Sequence, residues 1–357
     1  MIVVGIDPHK KTHTAVAVDG VSGAEVATLT VKARAKGHER LLSWARSIDS
    51  DLLFAVEDCR HVSGGLQRFL LARGERMKPV PPKLMAGTRR GARTRGKSDP
   101  IDARAVAQAA LRHPELPGAH LAGVERDVRL LLDHWEDLVT ERTRYQNRLR
   151  WHLHDLDPAF EVPTGGLDRS CWLDRTEGHL EAMEQGVQVR MALGEVRRIR
   201  ELTQEARRLE RELTTLVRLM APELLAIPGC GPLTAAKLLG ETGGVRRFRS
   251  EAAFAMHVGT GPLEVSSGER QRHRLSRSGN RQLNAALHRI AITQLRIHPP
   301  AQAFLERKRR EGKGKREALR CLKRHLARVV YKTLLTVELR RKREMTDTAA
   351  DAAVVAA

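Results

Sequence analysis

The chain has 357 residues with 63 Lys and Arg against 43 Asp and Glu, a net charge of +20; it is long enough for two domains, and a polyanion, nucleic acid or an anionic membrane, is its expected partner. No run approaches the roughly 18 apolar residues of a membrane span, and the N-terminus opens on a strand where a signal segment would be basic and then apolar, so a cytoplasmic protein is expected. Cys59, Cys171, Cys230 and Cys321 lack the spacing of a zinc site or disulfide framework and read as packing thiols, and aromatics at 3% of the chain speak against single-strand binding by base stacking and for duplex grooves and phosphates.

Three short β-rich runs come first, Ile2 to Asp7, Thr14 to Asp19 and Ala24 to Val31, parted by turn residues such as Gly20 and Gly23. Gly37 to Ser47 has helical spacing, Leu52 to Glu57 is a fourth strand, Gly65 to Ala72 a helix and Arg76 to Val80 a fifth strand. Three antiparallel strands followed by alternating α and β is the order of an α/β RNase H-like fold. From Lys83 to Lys97 no hydrophobic period exists, and Arg89, Arg90, Arg93, Arg95 and Lys97 lie among Gly and Thr, a basic loop suited to nucleic acid. Ser98 is placed to cap a helix from Asp99, with Pro100 in its first turn and an Ala-rich run to Leu111.

Val124, Val128, Leu131, Trp135, Leu138, Tyr145 and Leu149 follow a 4,3 spacing interrupted by Arg142, a coiled-coil seam. Ile199, Leu202, Ala206, Leu209, Leu213 and Leu216 repeat it after an irregular stretch from Pro158 to Cys171. The two helices pair with each other or with a second subunit. From Leu219 to about Arg343 the pattern is compact and helical, and the Ala-rich end is expected to be disordered. The division is therefore 1–115, an α/β catalytic domain; 116–218, a coiled-coil spacer; 219–345, a mainly α-helical domain; and 346–357, a tail.

Asp7 ends an apolar strand, Val3-Val4-Gly5-Ile6-Asp7, and Glu57 ends the fourth, Phe54-Ala55-Val56-Glu57. Asp99 and Asp102, three apart at a helix start, project from one face. Strand alternation turns Asp58, the rival of Glu57, to the opposite face. Any one of these carboxylates alone is better read as a turn former or a helix N-terminal acid. Gathered at element ends that the fold brings together, they repel one another unless cations intervene, and two Mg²⁺ ions would convert the repulsion into coordination and a two-metal phosphodiester site.

Further along, Leu225-Ala226-Ile227-Pro228-Gly229-Cys230-Gly231-Pro232 before Ala235, Ala236, Leu238 and Leu239 reads as a helix-hairpin-helix, with Gly229 and Gly231 bringing backbone amides to phosphate; an ordinary αα-hairpin is its competitor. Phe254-Ala255-Met256-His257-Val258-Gly259 leads into the polar loop Ser266-Ser267-Gly268-Glu269-Arg270 and then Leu275-Ser276-Arg277-Ser278-Gly279-Asn280. Tyr145 and Tyr331, in a coiled coil and an apolar helix, are poorly placed for a tyrosine recombinase. The basic runs at 307–310, 313–316 and 340–343 fit solvated helix faces, and are numerous enough to hold more than one nucleic acid.

Gly5-Ile6-Asp7 with Lys10, Glu57 after an apolar strand, and above all Lys97-Ser98-Asp99-Pro100-Ile101-Asp102-Ala103-Arg104 resemble the DEDD transposases of the insertion-sequence-110 family. The resemblance covers Ile2 to about Leu111 and Leu225 to about Arg343. It departs at Asp58-Cys59-Arg60, where a small residue and Thr-Gly are more familiar. It implies a RuvC-like N-terminal domain and a C-terminal domain with a serine nucleophile, for which the Ser-Gly pair selects Ser267 with Ser266 as the alternative, and Arg277 in the position of a basic turn residue. It further implies a Mg²⁺-dependent recombinase that excises and inserts its element through a covalent phosphoserine link, with double-stranded DNA ends and target, a bridge RNA as guide, a dimer or tetramer, and no membrane partner. The alternatives are a RuvC-like endonuclease that hydrolyses junctions with water, and a DNA-binding protein on a decayed catalytic fold.

Overall fold

The computed structural model describes all residues but 59, 86–97, 120–122, 266–272, 275, 277–278 and 356–357, without the side chains of 60, 61 and 345–355. The chain divides into two compact units: 1–123 together with 242–357, and 124–241.

The first unit opens with β1 (Ile2–Pro8), β2 (Thr12–Asp19) and β3 (Glu25–Lys32), followed by α1 (Ala35–Ile48), β4 (Leu52–Glu57), α2 (Arg60–Leu71) and β5 (Met77–Val80). The strands form one sheet in the order β3-β2-β1-β4-β5. β1/β2 and β2/β3 are antiparallel, whereas β1/β4 and β4/β5 are parallel. This mixed sheet is the RNase H order, and it follows from the sequence: tight turns join the first three strands, whereas helices make the two crossovers.

Both faces are buried, which is why the central strands read as apolar runs. One face packs Val4, Ile6, Phe54 and Val56 against Leu41 and Ala45 of α1 and Leu66 and Leu70 of α2. The other packs Val3, Val16 and Ala55 against Ala103, Val106, Ala107 and Ala110 of α3 (Asp99–Arg112). The small residues of α3 let it approach closely, and Gly5 completes the seat: a β-carbon there would lie 2.1 Å from the Ala103 carbonyl oxygen and 2.6 Å from the Ala107 nitrogen. Ser98 occupies the N-cap position, but its hydroxyl makes no capping bond; the first turn is closed by the Asp102 amide on the Ser98 carbonyl at 3.0 Å.

The remainder of this unit is helical: α9 (Glu251–His257), a two-residue ladder of β6 (Leu263–Glu264) with β7 (His273–Arg274), α10 (Arg281–Ile297), α11 (Pro299–Arg310) and α12 (Lys315–Val355). Asn280 caps α10 by accepting from the Gln282 and Leu283 amides. Gly279 lies against Gly259, where a β-carbon would come within 2.3 Å of the Gly259 nitrogen. α12 runs to Val355, through the segment expected to be a disordered tail.

The second unit is built on two long helices, α4 (Val124–Leu156) and α6 (Val187–Met220), with α5 (Ser170–Glu181) between them in sequence. They pack on each other within the chain, joining Leu138, Leu202, Ala206 and Leu209 with Leu131, Trp135 and Tyr145. Arg148 meets Glu195 at 3.4 Å and Arg198 meets Glu141 at 2.9 Å, so the helices run antiparallel. The polar interruption Arg142 reaches Asp168 at 3.3 Å. The unit continues to Glu241 and takes in a single turn, α7 (Pro222–Leu225), and most of α8 (Pro232–Thr242). Among the described residues no helix is long and apolar enough to cross a membrane.

Candidate active site

Asp7 lies one residue before the end of β1, on the odd-numbered face shared by Val3 and Gly5, the face covered by α3. It is 4% exposed. β4 is the parallel neighbour of β1, with Ile6 beside Val56, so Glu57 ends the adjacent strand on that face. Asp99 and Asp102 stand in the first turn of α3, the former exposed and the latter buried. Glu57, Asp102 and Asp99 all act electrostatically on Asp7. Two strand ends and one helix start thus bring Glu57, Asp99 and Asp102 near enough to act on the charge of Asp7.

Burial, foremost, and then the three neighbouring carboxylates push the Asp7 pKa from 3.8 up to about 6, against the opposing pull of His9. His9 was not among the expected site residues. Its Nε2 lies 3.2 Å from Asp7 Oδ2 and 3.3 Å from Asp99 Oδ1. The signal was present, since His9 is two residues beyond Asp7 and strand alternation returns it to the same face, but it lies past the strand end.

Asp7, His9 and Asp99 each offer a ligand atom within 4.8 Å of the others. A buried carboxylate raised by its burial and by three neighbouring acids, beside an imidazole, is a donor set short of positive charge and rich in oxygen. It fits a divalent cation.

Of the other expected residues, Arg89, Arg90, Arg93, Arg95, Lys97, Ser266, Ser267 and Arg277 lie outside the described residues. Gly229 takes a left-handed φ of 80°, which turns the chain from α7 toward α8, and Gly231 accepts the Ala235 amide at 2.9 Å. The first arm of this hairpin is one turn long. Of the cysteines, Cys230 is buried and its thiol is pushed up to about 12 by that burial. Cys171 is exposed and Cys321 half-buried, so packing explains Cys230 but not Cys171.

A family model for the DEDD transposases of IS110, described as Transposase, matches residues 4–158, and a second, described as Transposase IS116/IS110/IS902 family, matches residues 221–306. The chain belongs to the IS110 family of DEDD transposases. Within this family it is 28% identical to an uncharacterised protein of insertion element IS116 from Streptomyces clavuligerus, over 93% of this chain and 94% of that one. It is 26% identical to an uncharacterised protein of insertion element IS110 from Streptomyces coelicolor, over 67% and 70% of the two chains. Among solved structures, Thermus thermophilus RuvC matches 33% of this DEDD transposase and all of its own chain, at 17% identity and a TM-score of 0.27.

Proposed function

We propose that this transposase excises and inserts its element by cleaving and rejoining double-stranded DNA, with Asp7, Glu57, Asp99 and Asp102 holding Mg²⁺ and Ser267 as the nucleophile. The observation that carries it is the buried Asp7, raised to about 6 among three further carboxylates, in a chain of the DEDD transposase family.

Residues 1–115 hold the metal ligands and residues 219–345 carry the serine, with 116–218 as spacer. Ser267 Oγ gives up its proton and attacks the scissile phosphorus; a Ser–O–P bond forms, one P–O bond of the strand breaks, and the departing oxygen takes a proton. The phosphodiester energy stays in the phosphoserine link, so the reverse attack by a new DNA hydroxyl restores serine. Bound divalent ions would polarise the phosphate and stabilise the departing oxygen. Asp7 and Asp102, buried, fix the depth at which a phosphate is met, and exposed Asp99 faces the solvent side. Arg89, Arg90, Arg93, Arg95, Lys97 and Arg277 serve phosphates, as do the amides around Gly229 and Gly231. Exchange between two duplexes needs several active sites and hence a dimer or tetramer, and the family resemblance supplies the guide RNA.

The test incubates purified protein and its co-purifying RNA with Mg²⁺ and the element's junction DNA, and looks for protein covalently attached to DNA. Adducts in the wild type, lost in Ser267→Ala and in Asp102→Ala, are expected. Adducts that persist in Ser267→Ala but vanish in Ser266→Ala move the nucleophile by one residue. Cleavage with free ends and no adduct in any variant makes the chain a hydrolytic nuclease, and salt-sensitive DNA binding without any Mg²⁺-dependent chemistry makes it a non-catalytic binder.

A further inference from the structure

A cavity of about 360 Å³ opens in the helical part of the first unit, walled by α11, α12, Gly259–Pro262 and the β7 strand. Seven Lys and Arg line it against one carboxylate, Glu317. Several of these cations are already compensated: Lys308 pairs with Glu311 at 2.7 Å, Arg328 with Glu251 at 3.0 Å, and Arg324 with Glu251 as well. Lys313, Arg320 and Lys323 have no ion pair among the described residues, and Arg320 donates only to the His273 carbonyl at 3.4 Å.

Lys323 is the unusual member, because it is 8% exposed. Its ammonium donates to the amide oxygen of Asn284, a neutral acceptor, while the Asn284 amide nitrogen donates to the carbonyls of Val258 at 2.8 Å and Gly259 at 3.2 Å. Asn284 is thereby fixed with its oxygen toward the lysine. A chain that buries an ammonium without a carboxylate leaves a desolvation cost unanswered, and burial alone draws the Lys323 pKa below its ordinary value. An anion in the cavity would answer it.

We propose that this cavity is a phosphate-binding pocket that takes one backbone phosphate of a nucleic-acid strand between Lys323 and Arg320. It rests on the reading of the chain as a nucleic-acid enzyme, and names a contact point apart from the carboxylates, the serines and the basic loop. The pocket adjoins the β6/β7 ladder, whose connecting segment in sequence, 265–272, holds Ser266 and Ser267. A strand phosphate held here would be anchored beside the base of that ladder.

The test measures binding of the full-length protein, in EDTA, to a short random-sequence DNA duplex and to an RNA hairpin, over a range of salt concentrations. Lys323→Met replaces the ammonium with an apolar side chain of similar length, so its melting temperature is expected to equal or exceed that of the wild type. Affinity should fall about tenfold at roughly 0.1 M salt, with the slope of log K against log salt smaller by about 1. Arg320→Gln, on the same wall, should behave alike, and Arg309→Gln, on α11 but outside the cavity, should bind within about twofold of wild type. Whether DNA, RNA or both lose affinity identifies the strand held. Unchanged slopes in Lys323→Met and Arg320→Gln, with or without a uniform loss of affinity, overturn the pocket while leaving the catalytic reading intact. A wild type that binds neither probe overturns both. The absence of metal keeps the outcome independent of the adduct assay.

Discussion

Gly5 of β1 and Ala103 of α3 touch through backbone, leaving no room for a β-carbon, which would stand 2.1 Å from the Ala103 oxygen. Neither residue carries chemistry, yet this contact sets the height of Asp99 and Asp102 above the sheet end that holds Asp7.

Gly5→Ala must therefore lift α3 or bend β1. The substitution is expected to destabilise the protein by about 3 kcal/mol, the upper part of the range for overpacking a core. Metal-dependent cleavage should fall further than stability accounts for. Urea unfolding followed by activity on the folded fraction separates the two effects; a variant of wild-type stability and activity would mean that the seat yields freely.

The metal-free protein should show two opposed pH dependences. Asp7 is raised from 3.8 to about 6, so its contribution to stability is full below about pH 4 and is lost as pH rises through 6. His13, buried on the other face of the sheet with its Nε2 3.3 Å from that of His38, is lowered from 6.5 to about 4 by burial and by His38. Its contribution is full above 6.5 and is lost as pH falls toward 4. Each is worth about 3 kcal/mol at its limit, so they largely cancel. Asp7→Asn should unmask a loss of stability on acidification, and His13→Phe a loss on raising the pH. Thermal melts in EDTA across this window test both, and profiles parallel to the wild type in both variants would refute the pair.

Addition of Mg²⁺ near neutral pH should raise the melting temperature, by about 2.7 kcal/mol of stability at a hundredfold excess over the dissociation constant. Because the ligand form of Asp7 is the carboxylate, the effect should shrink as pH falls below about 6. Asp7→Asn should abolish it. An equal Mg²⁺ response in Asp7→Asn would place the ion elsewhere.

In the second unit Lys237, 2% exposed, reaches Glu136 at 2.8 Å across from α8 to α4. Lys237→Ala removes the cation and leaves a cavity. With Glu136 still partly in solvent, the expected cost is about 2 kcal/mol, below that of breaking a fully buried pair. Lys237→Met combined with Glu136→Leu should recover most of it. Urea unfolding checks the series; a double variant no better than Lys237→Ala would show that the pair is not what holds α8.

The five strands were legible because period-two and continuous apolar runs end at recognisable turns, and the same alternation separated Glu57 from Asp58. The Lys-Ser-Asp-Pro-Ile-Asp run marked the start of α3. His9 was passed over because it follows Pro8, beyond the strand, where pattern reading stops though the side-chain face continues. The heptad seams marked two helices but not their partner, since apolar spacing is the same whether the other helix belongs to this chain or another. Lys323 and Lys237 look like any surface lysine in sequence. Their burial depends on helices distant along the chain, as does the contact that makes Gly5 more than a strand glycine.

The charges flanking the seam of α4 and α6 add a form of selection. With Glu141 opposite Arg198 and Arg148 opposite Glu195, sliding one helix by a heptad sets Glu141 against Glu205 or Met191 and, in the former direction, Arg148 against Leu202. Hydrophobic side chains alone would tolerate such a slip, because the seam repeats itself. The ion pairs do not repeat, and so act as a vernier: they admit one alignment of the two helices.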